Sequence, residues 1–286
     1  MKKDQTPQDR RSVLRIAAYL GAAATAGLLL TEGTGSPRPG RPAAPPAPAA
    51  GQNPAGGAPG SAARTAGASA YRLQPMTAYQ PMRRALPPVR RRPFHRLPEA
   101  GRTMVLTFDD GPDPRYTPAI LRTLREYEVR AMFFVCGEMA TEHRDLLREM
   151  ADDGHVIGNH SWSHPLIPRL APSGIRSELG RTSEVIEQVT GAPPLWYRAP
   201  FGAWNRHSFE IGAELGMEPL AWSVDTLDWT EPGTGTIVSR VRDGAAPGVV
   251  VLSHDAGGDR SQSVAALRHY LPDLLADDYR ITVPRR

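Results

Sequence analysis

The chain has 286 residues, including 27 Gly and 29 Pro, and a formal net charge of +4. The length suits about two domains, but Gly and Pro crowd the first hundred residues, so the composition points to one folded domain behind an unfolded region. Up to Ala100 there are 15 Lys or Arg against 4 Asp or Glu, and beyond it 19 against 26, so a tail of +11 precedes a domain of −7 and a nucleic-acid function is excluded for the domain.

In residues 1–31, Arg10 and Arg11 precede a 15-residue apolar run, 16–30. A spanning helix needs about 20 residues, so the run suits the core of an export signal. Residues 9–15 resemble a twin-arginine signal. Val13 stands where Phe is usual, and no small-x-small site follows Leu30, so a cleaved leader and a retained membrane anchor both stay open. Residues 32–98 read as a disordered linker. Ala, Gly and Pro make up 28 of the 40 residues 31–70, with no apolar period. Arginines continue through Arg83, Arg84 and Arg90 to Arg92. They suit either a tether to an anionic membrane or wall polymer or a plain solvated linker.

Residues 99–286 form the predicted domain. An apolar strand, 104–108, runs into Asp-Asp-Gly-Pro, and Thr117-Pro118 opens a helix with Pro at its first position. A second strand, 131–135, precedes Cys136, a buried core residue on this reading. One cysteine excludes an intramolecular disulfide framework and a cysteine-rich zinc site. Then follow a helix 141–151, a strand 155–157, a helix 173–190 stopped by Gly191, and strands 195–197 and 219–224. A helix 235–243, a strand 248–252, a helix 261–276 kinked or split at Pro272, and a strand 280–283 complete the set. Alternating strands and helices predict an α/β fold, as an open sheet or a barrel, and both assemble sites at the C-terminal strand ends.

Polar clusters recur after the strands. His160 and His164 are four apart, near a turn that Pro165 keeps out of a helix interior. Two neutral imidazoles and a carboxylate would make an open divalent site. Asp109 and Asp110 are adjacent like charges, tolerable if a metal absorbs one and an arginine holds the other, which would leave one ligand and one base. His254 follows a strand and could donate a proton near neutral pH if a carboxylate such as Asp225 stabilises its charged form.

These clusters are similar to the five ordered motifs of the polysaccharide deacetylases, the NodB-homology group or carbohydrate esterase family 4. They are Thr-Phe-Asp-Asp-Gly-Pro at 107–112, His-Ser-Trp-Ser-His at 160–164, Arg-Ala-Pro-Phe-Gly at 198–202, Asp-Thr-Leu-Asp-Trp at 225–229 and Leu-Ser-His at 252–254. The resemblance implies a distorted (β/α) barrel of about seven strands over the whole domain. It implies a divalent metal, usually zinc, on Asp110, His160 and His164. Asp109 would be the base, held by Arg198, and His254 the acid, paired with Asp225. The Phe201 amide would help hold the oxyanion, where the family more often has Tyr, and Trp229 and Leu252 would wall the acetyl pocket.

The chemistry expected is hydrolysis of N-acetyl groups on an exported, cell-wall or related glycan such as peptidoglycan or a chitin-like polymer, by a monomeric domain. An O-acetyl esterase acting on acetylated xylan is the second reading. A non-catalytic glycan-binding module is the third.

Overall fold

The structure is a computed structural model that describes residues 85–97 and 101–284. The expected leader, 1–31, and the linker through 84 lie outside the described residues. Among the described residues no helix is long and apolar enough to cross a membrane.

Strand β1 (Thr103–Asp109) is buried at every position. A strand covered on both faces reads as a continuous apolar run, and its alternation decides which side chains face which layer. Met104, Leu106 and Phe108 join the large cluster formed with the helices, whereas Val105 belongs to a second cluster with Met132, Phe134, Trp196, Leu220 and Val250. Residues 105, 107 and 109 therefore face the barrel interior, and Asp109 ends that row.

The strands after β1 are β2 (Met132–Val135), β3 (Val156–Asn159), β4 (Trp196–Tyr197), β5 (Glu218–Pro219), β6 (Val224–Asp225), β7 (Val249–His254) and β8 (Arg280–Ile281). Their spatial order is β5-β4-β3-β2-β1-β7-β6, every pair parallel, with β8 added beside the start of β1. That is the circular order of a seven-strand barrel with one seam, between β5 and β6. The predicted single strand at 219–224 is in fact β5, a crossing and β6. Residues 220–223 pass directly between the two edges with no helix, which distorts the barrel there.

The helices are α1 (Thr117–Glu126), α2 (Gly137–Glu142), α3 (Arg144–Asp152), α4 (Pro172–Thr190), α5 (Arg206–Glu214), α6 (Thr234–Asp243) and α7 (Ser261–Ala276). The helix expected at 141–151 is two helices broken at His143, whose backbone (φ −120, ψ 51) is not helical. Helix α5 has no counterpart in the sequence reading. Its start is fixed by a reciprocal pair: Asn205 Oδ1 accepts the Ser208 amide at 2.8 Å, and Ser208 Oγ accepts the Asn205 amide at 3.1 Å. Pro272 does not split α7, which runs unbroken to Ala276.

Part of the stretch expected as linker, 85–97, is held by the domain. Residues 85–97 pack on the domain and cross the seam. The Phe94 amide donates to Pro219 O at 2.9 Å, the Ala221 amide donates to Phe94 O at 2.7 Å, and the Leu97 amide donates to Gly248 O at 3.0 Å. Gly248 sits at φ 75, where a Cβ would lie 2.4 Å from Leu97 O, so only glycine admits the passing chain. Leu97 is buried in the inner cluster, and Arg90 pairs with Glu218 through Nη2–Oε1 at 2.8 Å. A few apolar residues among arginines look like linker because their partners lie over a hundred residues away.

Candidate active site

Strand register assembles the site. Asp109 and His254 are partners at the ends of β1 and β7. Asn159 and Tyr197 are partners at the ends of β3 and β4, so the next residues, His160 and Arg198, emerge side by side. All four lie at the C-terminal strand ends, where loops can diversify chemistry without disturbing the core.

Arg198 is completely buried. Its Nη1 donates to Asp109 Oδ1 at 2.6 Å and to Thr107 Oγ1 at 2.8 Å. Nε and Nη2 donate to the Leu220 and Ala221 carbonyls, and the guanidinium lies 4.2 Å from the Phe134 ring centroid. A buried charge persists only when paired and hydrogen-bonded. Here the pair orients Asp109 and leaves Oδ2 facing His160, 3.7 Å from Nε2.

Asp110 has φ 79, a left-handed conformation that costs a non-glycine residue roughly 1–3 kcal/mol. Its Oδ1 is buried and accepts no hydrogen bond. That oxygen lies 3.4 Å from His160 Nε2 and 3.3 Å from His164 Nε2. His160 Nδ1 is 2.9 Å from Arg198 O, an acceptor, which assigns the proton to Nδ1 and leaves a lone pair on Nε2. Burial lowers the His164 pKa, with His160 adding to the effect, which favours a free lone pair on this ring. Burial opposes ionisation of Asp110, but His160, His254 and His164 outweigh it when they are protonated and hold the carboxyl well below the usual range, and a bound cation would take the place of the protons on His160 and His164. An ionised oxygen without a donor thus meets two imidazoles. The three ligand atoms lie within 4.8 Å of one another, and they fit a divalent cation with open positions.

The histidines stand in a loop. Ser161 and His164 have φ 68 and 57. Glu178 of α4 accepts the Trp162 and Ser163 amides at 2.8 and 2.9 Å, and Arg181 lies 3.7 Å over the Trp162 ring. The first amides of α2 donate to Ser161 O and Trp162 O.

His254 departs from expectation in its partner. Its Nδ1 lies 2.7 Å from Asp228 Oδ1, and its amide donates to Asp228 Oδ2 at 2.9 Å. Ser263 Oγ also donates to Oδ2, at 2.6 Å. Asp225 instead accepts the Leu227 amide at 2.9 Å. The reason is local: Leu227 at φ 48 turns the chain so that Asp228, three residues on, faces β7. Burial opposes protonation of His254, but Asp228, then Asp110 and Asp109, outweigh it and raise the pKa to about 9. His254 therefore carries its proton at neutral pH.

Phe201 (φ 60) packs its ring edge against His164, centroids 4.6 Å apart, and is 67% exposed. Trp229 is exposed beside Asp228, and Leu252 is buried on β7. Cys136 is buried, and burial together with Asp110 and Asp109 pushes its thiol well up, which leaves it inert. Four residues given no role in the sequence reading belong here: Thr107, Asp228, Glu178 and Asp255. The first two lie inside the quoted motifs, but nothing in a linear string says which aspartate of 225–228 faces the histidine.

Residues 97–220 match the family model described as polysaccharide deacetylase. The chain is 33% identical over 198 residues to a chitooligosaccharide deacetylase of Azorhizobium caulinodans, covering 65% of this chain and 94% of that protein. The chain belongs to the polysaccharide deacetylase family. It is an enzyme of that family, a hydrolase. This deacetylase is also similar to a solved peptidoglycan N-acetylglucosamine deacetylase in complex with 4-naphthalen-1-yl-N-oxidanyl-benzamide (TM-score 0.64, 33% identity, 67% of this chain and 94% of that one). A second solved relative is described as a pseudoenzyme of the same family from Bacillus anthracis (TM-score 0.62, 28% identity, 66% of each chain).

Proposed function

We propose that the deacetylase removes N-acetyl groups from an N-acetylglucosamine polymer of the cell wall, peptidoglycan or a chitin-like glycan, outside the cell. The observation that carries this reading is the convergence of Asp110, His160 and His164 beside an arginine-held carboxylate, Asp109, and a carboxylate-held histidine, His254. The names of the relatives support the substrate class, and the expected export signal and basic linker support the location.

Zinc suits the two imidazoles and one carboxylate, and when bound it would polarise the acetyl carbonyl and acidify the attacking water. Asp109, with Oδ1 tied to Arg198, accepts the water proton on Oδ2. The water oxygen bonds to the acetyl carbon, and the Phe201 amide donates to the oxyanion that forms. His254 gives its proton to the sugar nitrogen as the carbon–nitrogen bond breaks, and Asp228 stabilises the charged ring beforehand. Trp229 and Leu252 wall the acetyl methyl. The products are acetate and a free amine, with no side-chain nucleophile, and one chain supplies every group.

The test is acetate release from N-acetylglucosamine oligomers and from acetylated xylan, before and after chelation, with zinc restored. Release from the oligomers that chelation stops and zinc restores is the expected result. Release from acetylated xylan alone would make the protein an O-acetyl esterase. No release from either by zinc-loaded protein would overturn the catalytic reading in favour of a glycan-binding module.

A further inference from the structure

We propose that Asp255 is the positioning residue of the metal site: its buried carboxylate fixes the turn that presents Asp110. The inference rests on reading Asp110, His160 and His164 as metal ligands.

Asp255 follows His254 at the end of β7 and is 1% exposed. Its amide donates to Asp109 O at 3.1 Å, which continues the β1–β7 pairing one step beyond the strands. Its carboxylate then turns to the loop after β1. Oδ1 accepts the Gly111 amide at 3.1 Å, and Oδ2 accepts the Thr117 hydroxyl at 2.5 Å. Thr117 Oγ1 in turn accepts the Asp113 amide at 2.8 Å. One carboxylate thus clasps both ends of the turn between β1 and α1.

The effect on Asp110 follows from backbone geometry. The direction of the Asp110 amide is set by its φ, and that of the Gly111 amide by the ψ of Asp110. The Asp110 amide is held by Phe134 O at 3.2 Å, and the Gly111 amide by Asp255. Gly111 O accepts the Cys136 amide at 3.1 Å, so Gly111 is held through both its amide and its carbonyl. With both dihedrals held and φ at 79, the Cβ of Asp110 points one way.

The two loops also interlock. A Cβ on Gly111 would fall 2.2–2.4 Å from the Asp255 carboxylate, and one on Gly257 would fall 2.6 Å from Asp110 Oδ2. Arg260 braces the second loop by donating to the carbonyls of Ala256, Gly257 and Asp259.

Stability alone gives no reason for a carboxylate here. Burial, with Asp110 and Asp109 adding to it, raises its pKa to about 7, and among the described residues no cation pairs with it. An uncharged group of similar shape would avoid that repulsion. What the carboxylate offers is two acceptors in one plane, matched to two donors from the two ends of one turn.

The test uses the full chain, stripped of metal and titrated with zinc against a chromogenic chelator. Asp255→Asn keeps the shape but presents a donor to one partner, and Thr117→Val removes the hydroxyl while keeping the charge. Ile237→Val, in the outer cluster, serves as a control of global stability. Zinc affinity is expected to fall about 10–100-fold in Asp255→Asn, in the range for outer-shell partners. It should fall by a smaller factor in Thr117→Val and stay unchanged in Ile237→Val. The absorption of bound cobalt(II) should also change in Asp255→Asn, since it reports coordination geometry.

Wild-type zinc affinity in both Asp255→Asn and Thr117→Val would overturn the inference. So would a control whose zinc affinity falls in step with its melting temperature. If Asp255→Asn does not fold, Thr117→Val decides. A wild-type chain that binds no zinc would refute the metal-site reading itself, a different result from unchanged affinity in the variants.

Discussion

Asp228→Asn removes one charge and keeps the shape of the side chain, so it isolates what Asp228 does for His254. The His254 pKa is about 9 against 6.5 for an ordinary histidine, with Asp228 the foremost group raising it. Burial pulls the other way, and Asp110 and Asp109 raise the value less than Asp228 does, so without the Asp228 charge it falls toward that of an ordinary histidine. At pH 7.5 a group of pKa ~9 is ~97% protonated and one of pKa ~6.5 only ~9%, so the supply of acid drops by up to about tenfold. A cation at Asp110 would cancel part of the Asp110 field in both proteins, which shifts both profiles down without closing the gap. The assay is kcat for acetate release against pH. Activity that needs protonated His254 is lost as pH rises through its pKa. The alkaline limb should therefore move down by more than one pH unit in Asp228→Asn and stay in place in Asp225→Asn. An alkaline limb that moves in Asp225→Asn and not in Asp228→Asn would refute the pairing and its electrostatic consequence.

Arg198→Met should leave the Asp109 carboxylate buried without its partner and cost about 3–5 kcal/mol in urea unfolding; a loss under about 1 kcal/mol would show that Asp109 finds another partner. His155 lies away from the site, with Nδ1 accepting the Ala131 amide at 3.2 Å, and burial lowers its pKa from 6.5 to about 4. The unfolded chain therefore binds the extra proton between those values. About 3 kcal/mol of stability, fully present above pH 6.5, is lost as pH falls toward 4. Melting temperatures of His155→Asn should fall less steeply over that interval, and parallel slopes would remove His155 from the account. A chain beginning at Glu99 should unfold at a lower temperature than one beginning at Ala85, because it lacks the Arg90–Glu218 pair and the buried Leu97, whose burial alone is worth about 2 kcal/mol. Equal melting temperatures would make residues 85–97 an incidental contact.

The layout of the barrel was legible because its strands carry their signal locally. Residues 104–108 and 248–252 are nearly continuous apolar runs bounded by turn residues, as expected of strands buried on both faces. Elements were missed or merged where the deciding contact is remote or brief. Helix α5 is announced only by the Asn205–Ser208 cap. The break at His143 is a single residue's backbone. The crossing at 220–223 reads as strand because its buried residues face the interior like strand residues.

The same division holds at the site. The sequence by itself determined the chemical inventory: two adjacent aspartates, two histidines four apart, an arginine and a histidine, each just after a strand. It also separated a basic tail from an acidic domain. Which group meets which was decided by the fold, because pairing depends on register and on turns that a string does not encode. Asp109 faces His254 because β1 and β7 pair in that register. Asp228 rather than Asp225 reaches the histidine because Leu227 turns left-handed. Residues 85–97 belong to the domain because the open seam between β5 and β6 leaves backbone groups that only another stretch of chain can satisfy.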